Sequence, residues 1–194
     1  MEESGDEWRG RIVNVERLEA CIHDRTNAAR GRHDERALAY DPALRPIARY
    51  HCHRMARAGE IFHEAPDGEG LADRLAKHDY PHRSKASGQR FCHGCGADLR
   101  WLAEPRYCTE CGAPLSSDVA RSAVSGENLA YRGYFGHLRD EPEIERLAER
   151  IVQGWLDSPG HRENLLDERF DREAIGVVID RSEGLELYIT QNFS

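Results

Sequence analysis

Apolar residues recur three and four positions apart through much of the first part of the chain, which is the spacing of one buried helix face. The pattern predicts a first helix over residues 15–30, with Gly31 as its stop. A second helix is predicted from Asp41, as its N-cap, to Gly59. A short third helix is predicted over residues 71–76. The first part of the chain is therefore predicted to be helical.

The second half of the chain changes from helical to strand-like patterns. Residues 81–120 contain no long periodic stretch, and residues 143–156 then form an amphipathic helical pattern. Two β-rich runs follow over residues 174–179 and 185–190, and the turn residues 181–184 between them predict a hairpin. Helices that come first and strands that come last predict an α+β or three-layer fold with an antiparallel sheet.

A cysteine quartet lies in the segment that lacks periodicity. Two C-x-x-C-G sequences supply its members, which are Cys92, Cys95, Cys108 and Cys111. Four thiolates at this spacing suit one tetrahedral zinc ion, and the glycine after each pair permits the turn around the metal. Haem attachment would need a histidine after the second cysteine of a pair, whereas disulfides and redox-active thiols stay open as alternatives. The quartet predicts a zinc-ribbon-like insertion over residues 81–120.

Composition and charge bound the class of protein. The chain has 194 residues, of which 39% are hydrophobic, and this suits one globular core with a small satellite. Its net charge of −8 argues against general binding to nucleic acid or to acidic membranes. No run approaches the ~20 apolar residues of a membrane span, and the first residues lack a secretory signal, so we expect a cytoplasmic protein. The two other cysteines, Cys21 and Cys52, are predicted to be buried thiols.

Histidine and glutamate residues in three short segments indicate chemistry beyond packing. They are His63 at a helix exit, Glu127 in a GENLA segment and His161 in an SPGHR segment. Ser158 as N-cap and Pro159 at the first helical position would place His161 at the third position of a short helix. The positive end of that helix disfavours an added proton, so the imidazole is predicted to stay neutral, which is the form that binds metals.

The order of these and other short motifs resembles the CAP superfamily in its prokaryotic form, that is, the cysteine-rich secretory, antigen 5 and plant pathogenesis-related proteins. The motifs are TNAAR at 26–30, LAYDPAL at 38–44, ARYH at 48–51 with Met55, FH at 62–63, DRL at 73–75, GENLA at 126–130, SPGHR at 158–162 and YITQNF at 188–193. The resemblance covers about residues 16–80 and 125–193. We therefore expect a discontinuous CAP (SCP) domain over residues 15–80 and 125–194, preceded by an N-terminal tail over residues 1–14.

The resemblance implies an α-β-α sandwich with a central cleft lined by two histidines and acidic residues, a site that binds zinc or other divalent ions in some members. Here those residues would be His63, His161 and Glu127, which leave a fourth coordination position open. The second glutamate of the eukaryotic pattern is replaced by Ser158, with Asp157 as the nearest acid. The alternative is that Glu127 pairs with the two histidines and organises the cleft without a metal.

Residues near the predicted cleft carry further expectations. The candidates for the missing carboxylate are Glu60, Glu64 and Glu69. His51 is expected nearer the cleft than His53, which is expected in solvent, because residues two apart cannot share a helix face. The residues predicted to satisfy buried backbone groups are Asn128 and Gln191.

A fold alone does not assign a reaction. The leading hypothesis is a CAP-domain protein, non-enzymatic or weakly enzymatic, whose cleft binds a small apolar or peptide ligand or a divalent ion beside a structural zinc ribbon. The first rival is a metal-dependent hydrolase with His63 and His161 as ligands and Glu127 as ligand or general base. The second rival is an interaction adaptor that docks a partner through the zinc module. The near-neutral charge of that module favours a protein over a nucleic acid as the partner.

Overall fold

A four-stranded β-sheet lies between two layers of helices in the computed structural model of the chain. The residues that the structure describes are 14–80, 125–133, 141–182 and 184–194. The predicted insertion over residues 81–120 lies outside them, together with its four predicted zinc ligands Cys92, Cys95, Cys108 and Cys111. The described residues form one compact unit, and their mixture of helices and strands confirms the predicted α+β class.

Five helices occur in the described part of the chain, each where the sequence predicts one. They are α1 (Val15–Arg32), α2 (Leu44–Ala58), α3 (Leu71–Lys77), α4 (Glu141–Asp157) and α5 (Pro159–Leu166). None of these helices is long and apolar enough to span a lipid bilayer.

Two of the predicted helix ends are wrong and one is confirmed. Helix α1 continues through Gly31 for one further residue, so this glycine does not stop it. Asp41 is not the N-cap of α2, because the helix begins at Leu44 and Ala43 occupies the N-cap position. Gly59 ends α2 as predicted, with a φ of 70° that favours glycine.

The sequence predicts an antiparallel sheet, but the sheet is mixed. Its strands are β1 (Ala39–Tyr40), β2 (Gly126–Gly133), β3 (Arg172–Asp180) and β4 (Glu186–Phe193), in the order β1-β3-β4-β2. Strand β4 runs antiparallel to both β2 and β3, whereas β1 runs parallel to β3. The connection from α1 to α2 lays β1 along the sheet edge, where the N–H of Ala39 donates to the carbonyl of Asp171. A strand of two residues carries no alternating pattern from which its direction could be predicted.

Side chains alternate between the two faces of the sheet, and each face is covered by its own helices. Ile175 and Val177 of β3 pack in the main core with α1, α4 and α5. Ala174 and Val178, on the opposite face, belong to smaller clusters formed with α2 and α3. This is the three-layer α-β-α arrangement that the sequence predicts.

Helix α2 packs tightly against the sheet at Gly176. A Cβ atom at this position would lie 2.5 Å from the backbone of Ala48 and Arg49, so the contact requires glycine. The thiol of Cys52, one helical turn further along α2, donates to the carbonyl of Gly176 at 3.2 Å. Burial raises the pKa of this thiol to about 12. Cys52 and Cys21 are both buried free thiols, as predicted.

Candidate functional site

An open cavity of about 580 Å³ lies where the loop after α2 meets the starts of α3, β2 and α5. Its lining residues are His63, Glu64, Gly70, Leu71, Ser125, Gly126, Glu127, Ser158, Gly160, His161 and Asn164. The structure therefore brings the three predicted cleft residues His63, Glu127 and His161 to one cavity. They come from sequence segments up to a hundred residues apart, and the sheet and α5 position two of them.

His63 and Glu127 are joined by a hydrogen bond. The Nδ1 atom of His63 lies 3.1 Å from Oε1 of Glu127, and because a carboxylate only accepts, Nδ1 carries the proton. The histidine side chain is 58% exposed, while the glutamate is buried in β2 at the base of the cavity. In the neutral ring this leaves Nε2 with a free lone pair, and this atom makes no hydrogen bond to another described residue.

Arg74 of α3 holds the other side of the Glu127 carboxylate. Its Nη2 atom donates to Oε2 of Glu127 at 2.6 Å, and both side chains are almost completely buried. Nη1 of Arg74 also donates to the backbone carbonyls of His63 and Glu69, at 3.2 and 3.3 Å. One buried guanidinium thus fixes both the carboxylate and the loop that carries His63.

Sequence reasoning missed Arg74, which it treated only as part of a family motif. The available signal was its position between Leu71 and Leu75 on the apolar side of the predicted third helix, where a charged residue is buried only with a partner. What the sequence does not contain is the identity of that partner, because Glu127 lies 53 residues away along the chain.

His51 lies behind Glu127 and does not line the cavity. Its Nε2 atom donates to the carbonyl of Phe62 at 2.7 Å and lies 3.7 Å from Oε1 of Glu127. Burial lowers the pKa of this imidazole, against the opposing effect of the Glu127 charge. His51 is therefore near the cleft residues as expected, although it is sealed from solvent, while His53 is exposed as predicted.

His161 occupies the third position of α5, as the sequence predicts. Ser158 precedes the helix with extended backbone angles and Pro159 begins it, although the serine side chain makes no capping hydrogen bond. Burial lowers the pKa of His161 and the neighbouring His63 lowers it further, so the neutral ring is favoured. The centroids of the two imidazole rings are 6.3 Å apart.

Two asparagine side chains tie α5 to β2. Asn128 donates to the backbone carbonyl of His161 at 3.1 Å, which confirms its predicted role. Asn164 donates to the backbone carbonyl of Glu127, also at 3.1 Å. The prediction for Gln191 is wrong, because its amide donates to side chains of the core, those of Thr26 and Glu173.

The acids considered as a fourth cleft ligand are mostly turned elsewhere. Asp157 accepts from Gln153 at the surface, and Glu69 is bound to Arg54 and Lys77. Glu64 lines the cavity. Among the described residues, no group of three or more His, Cys, Asp or Glu side chains is arranged to hold a metal ion. The cleft thus contains two imidazoles and the carboxylate of Glu127, whose oxygens already accept hydrogen bonds from His63 and Arg74.

A three-layer α-β-α domain with two histidines and a glutamate at an open cleft is the class of structure called a CAP domain. The sequence matches the Cysteine-rich secretory protein family, CAP, over residues 23–193, and the chain belongs to this family. None of the curated proteins matches the chain in sequence.

Solved structures from three bacteria share the fold. An extracellular protein containing a SCP domain from Bacillus anthracis has a TM-score of 0.58 at 23% identity, over 100% of this chain and 44% of that protein. An outer surface protein from Borrelia burgdorferi has a TM-score of 0.55 at 16% identity, over 95% and 96%. A cysteine-rich secretory protein from Staphylococcus aureus has a TM-score of 0.50 at 16% identity, over 93% and 39%. The chain therefore spans less than half the length of two of these proteins.

Proposed function

We propose that this CAP domain binds a divalent metal ion between the imidazoles of His63 and His161, with a polar or peptide ligand in the open coordination positions. The observation that carries the proposal is the hydrogen bond from Nδ1 of His63 to Glu127. A carboxylate that accepts from one imidazole nitrogen orients the ring and makes the other nitrogen a better metal ligand. In this arrangement Nε2 of His63 is the ligand atom.

The second imidazole supports the same site. His161 is favoured in its neutral form, which is the form that coordinates metals. Its ring centroid lies 6.3 Å from that of His63, and since zinc–nitrogen bonds are about 2 Å long, a small rotation of the exposed His63 side chain would let one ion reach a nitrogen of each ring. Two neutral imidazoles suit zinc, copper or nickel better than calcium or magnesium.

The role proposed for Glu127 is to orient His63, and not to bind the metal or act as a base. One of its oxygens accepts from His63 and the other from Arg74. A metal-dependent hydrolase that used Glu127 as ligand or general base would have to use Oε1, which already accepts the hydrogen bond that orients His63. This favours a binding protein over the hydrolase alternative.

The cavity lining favours a polar ligand over an apolar one. Among the described lining residues, Leu71 alone has an aliphatic side chain, and the others have polar side chains or are glycine. Apolar ligands are normally held by predominantly hydrophobic walls. Of the two ligand classes predicted from the sequence, a peptide therefore fits better than a small apolar molecule.

A structural zinc bound by the cysteine quartet remains part of the proposal. Cys92, Cys95, Cys108 and Cys111 have the spacing of a four-thiolate site, and such sites keep no open coordination position. The alternative function, a protein-interaction adaptor, would place the partner on this module. The quartet and the cleft together predict two zinc ions per chain.

Zinc content tests the cleft site directly. We expect purified protein equilibrated with zinc to hold two ions per chain, and the His63→Ala and His161→Ala variants to hold one. His53→Ala is the matched control, since it removes an exposed histidine of α2 and should leave two. An equal zinc content in the wild type and both cleft variants would contradict the metal site, and peptide binding would then have to be sought without it.

The cytoplasmic location predicted from the sequence stays a prediction. Four reduced thiolates are most stable in a reducing compartment. Against this, two of the similar bacterial proteins are described as extracellular or outer surface proteins. Fractionation of cells that express the protein would decide between the two locations.

A further inference from the structure

Four buried polar atoms behind the cleft have no hydrogen-bond partner in the described part of the chain. They are Nε of Arg74, Nδ1 of His51 and both amide atoms of Asn192. All three side chains are fully buried. Buried polar groups are nearly always paired, with protein or with ordered water, so these unpaired atoms indicate a missing partner.

These atoms belong to residues that flank one carboxylate. Asn192 of β4 is directly opposite Glu127 of β2, so the two side chains project from the same face of the sheet. Arg74 contacts Oε2 of Glu127, and His51 lies near Oε1. These three residues therefore lie behind the cavity floor, between the sheet and the layer of α2 and α3.

The mixture of donors and acceptors identifies the partner. Nε of Arg74 and the amide nitrogen of Asn192 can only donate. Nδ1 of His51 can only accept, because Nε2 donates to Phe62 and burial keeps the ring neutral. The amide oxygen of Asn192 also accepts. A cation would be repelled by Arg74 and an anion by Glu127, whereas water both donates and accepts.

We propose that Asn192, Arg74 and His51 bind ordered water behind Glu127, and that this water makes Asn192 a positioning residue for the Glu127–His63 pair. A water that bridges Asn192 to Arg74 fixes the guanidinium, which in turn fixes the carboxylate that His63 contacts. The water site stands without any metal in the cleft, and only its consequence for metal affinity rests on the proposed function.

The first test detects the water in the metal-free wild-type protein. We expect a nuclear Overhauser cross-peak between water and the Nε proton of Arg74, and a long-lived internal water in oxygen-17 relaxation dispersion. A resolved Nε proton without contact to water would overturn the proposal, whether or not any variant folds.

The second test uses Asn192→Leu, which keeps the number and branching of side-chain atoms but removes the amide. If water bridges these groups, the substitution displaces the water and leaves Nε of Arg74 and Nδ1 of His51 without a hydrogen-bond partner. The folding equilibrium constant should then fall by roughly tenfold or more. If the amide were simply unpaired, the same substitution would leave stability unchanged or raised. That outcome, with an unchanged count of long-lived waters, would contradict the site.

The positioning role has its own readout. Nitrogen-15 shifts of the His63 ring report which nitrogen carries the proton. We expect the Nδ1–H tautomer in the wild type and a shift toward the Nε2–H tautomer in Asn192→Leu. Thr190→Val is the matched control, because Thr190 is buried on the same face of β4, two residues away, and bonds to Cys52. It should change neither the tautomer nor the long-lived water, and an Asn192→Leu spectrum identical to that of the control would refute the positioning role.

Discussion

Arg74 and Glu127 form a buried ion pair, and each charge is tolerated in the interior because the other balances it. Breaking such a pair leaves an uncompensated charge in the interior, whereas replacing both partners by apolar residues is often tolerated. The pair sits at the base of an open cavity, with the carboxylate shared between Arg74 and the exposed His63. Its contribution is therefore better described as positioning the cleft than as stabilising the fold.

A double-mutant cycle tests this dependence. Arg74→Met should lower the free energy of unfolding by about 3–5 kcal/mol, because Glu127 is left buried without its counter-charge. Adding Glu127→Leu should restore part of the loss. Arg25→Met is the control, since Arg25 forms ion pairs with Glu145 and Glu149 at the surface and should cost less than about 1 kcal/mol. Urea denaturation measures five proteins, which are the wild type, the single variants Arg74→Met and Glu127→Leu, their double variant and the Arg25→Met control. Equal losses for Arg74→Met and Arg25→Met would contradict the buried pair.

Acid should destabilise the protein through His51. Burial lowers its pKa below the ordinary value of 6.5, so the unfolded chain takes up this proton at a higher pH than the folded protein does. The contribution of neutral His51 to the free energy of unfolding is thus complete above about pH 6.5. It is lost as the pH falls through the pKa of His51 in the folded protein. The groups facing the ring are Glu127, whose charge opposes the shift, Arg74, whose charge adds to it, and His63, which would add to it if it carried a second proton.

The His51→Gln variant isolates this effect, because glutamine can still donate to the carbonyl of Phe62. We expect the difference in unfolding free energy between wild type and variant to narrow as the pH is lowered from about 7.5 to 5. A His51→Gln difference that widens with acid would mean that His51 is charged in the folded protein.

Which residues could be predicted depends on how local their signal is. His161 was placed correctly because the start of α5 is encoded by Ser158 and Pro159, its immediate neighbours. His63 and Glu127 were joined through the resemblance to a family, and no property of either segment alone predicts their hydrogen bond. Arg74 and Asn192 were missed, because their partners lie across the sheet and α3.

At the scale of elements, the contact between α2 and β3 depends on a missing side chain. A Cβ at Gly176 would overlap the backbone of Ala48 and Arg49, and backbone atoms cannot rotate away as a side chain can. The helix must then move outward, and with it Cys52 and His51. The close contact at Gly176 therefore also sets the position of α2, which carries His51 behind the cleft.

Gly176→Ala should therefore be strongly destabilising. We expect a loss of about 1–3 kcal/mol or more in the free energy of unfolding, as for other overpacked cores. Gly133→Ala is the matched control, because Gly133 also lies in a strand but has nothing within 4 Å of the added Cβ. Thermal unfolding compares the two variants, and similar melting temperatures would show that α2 adjusts to the added methyl group at little cost.

A helix or strand could be predicted from the sequence where its buried residues recur at regular spacing or form one apolar run. Helix α4 and the strands β3 and β4 show one apolar face or one apolar run, and the sequence predicts all three. Strand β2 was not predicted, because five consecutive residues from Gly126 to Ala130 are buried and two of them, Glu127 and Asn128, are polar. These polar residues belong to the cleft, and they interrupt the apolar pattern by which the strand could have been predicted.

At the scale of the whole molecule, one domain is assembled from two stretches of chain. The main core joins α1 from the first stretch to α4, α5 and the strands of the second. The smaller clusters likewise join α2 and α3 to residues of β2, β3 and β4. The order of helices and strands predicted a three-layer arrangement, but the parallel β1 edge follows from the chain path and not from any local pattern.

Because the described residues before position 81 and after position 124 form one compact unit with core clusters of their own, we expect the domain to fold without residues 81–120. A variant with a short Gly/Ser linker in their place should keep its far-ultraviolet circular dichroism and its cooperative unfolding. It should bind one zinc ion instead of two, and His161→Ala in this background should remove that ion. Retention of two ions would contradict the cysteine quartet as a metal site, and loss of cooperative unfolding would mean that the segment belongs to the core and is not a separable module.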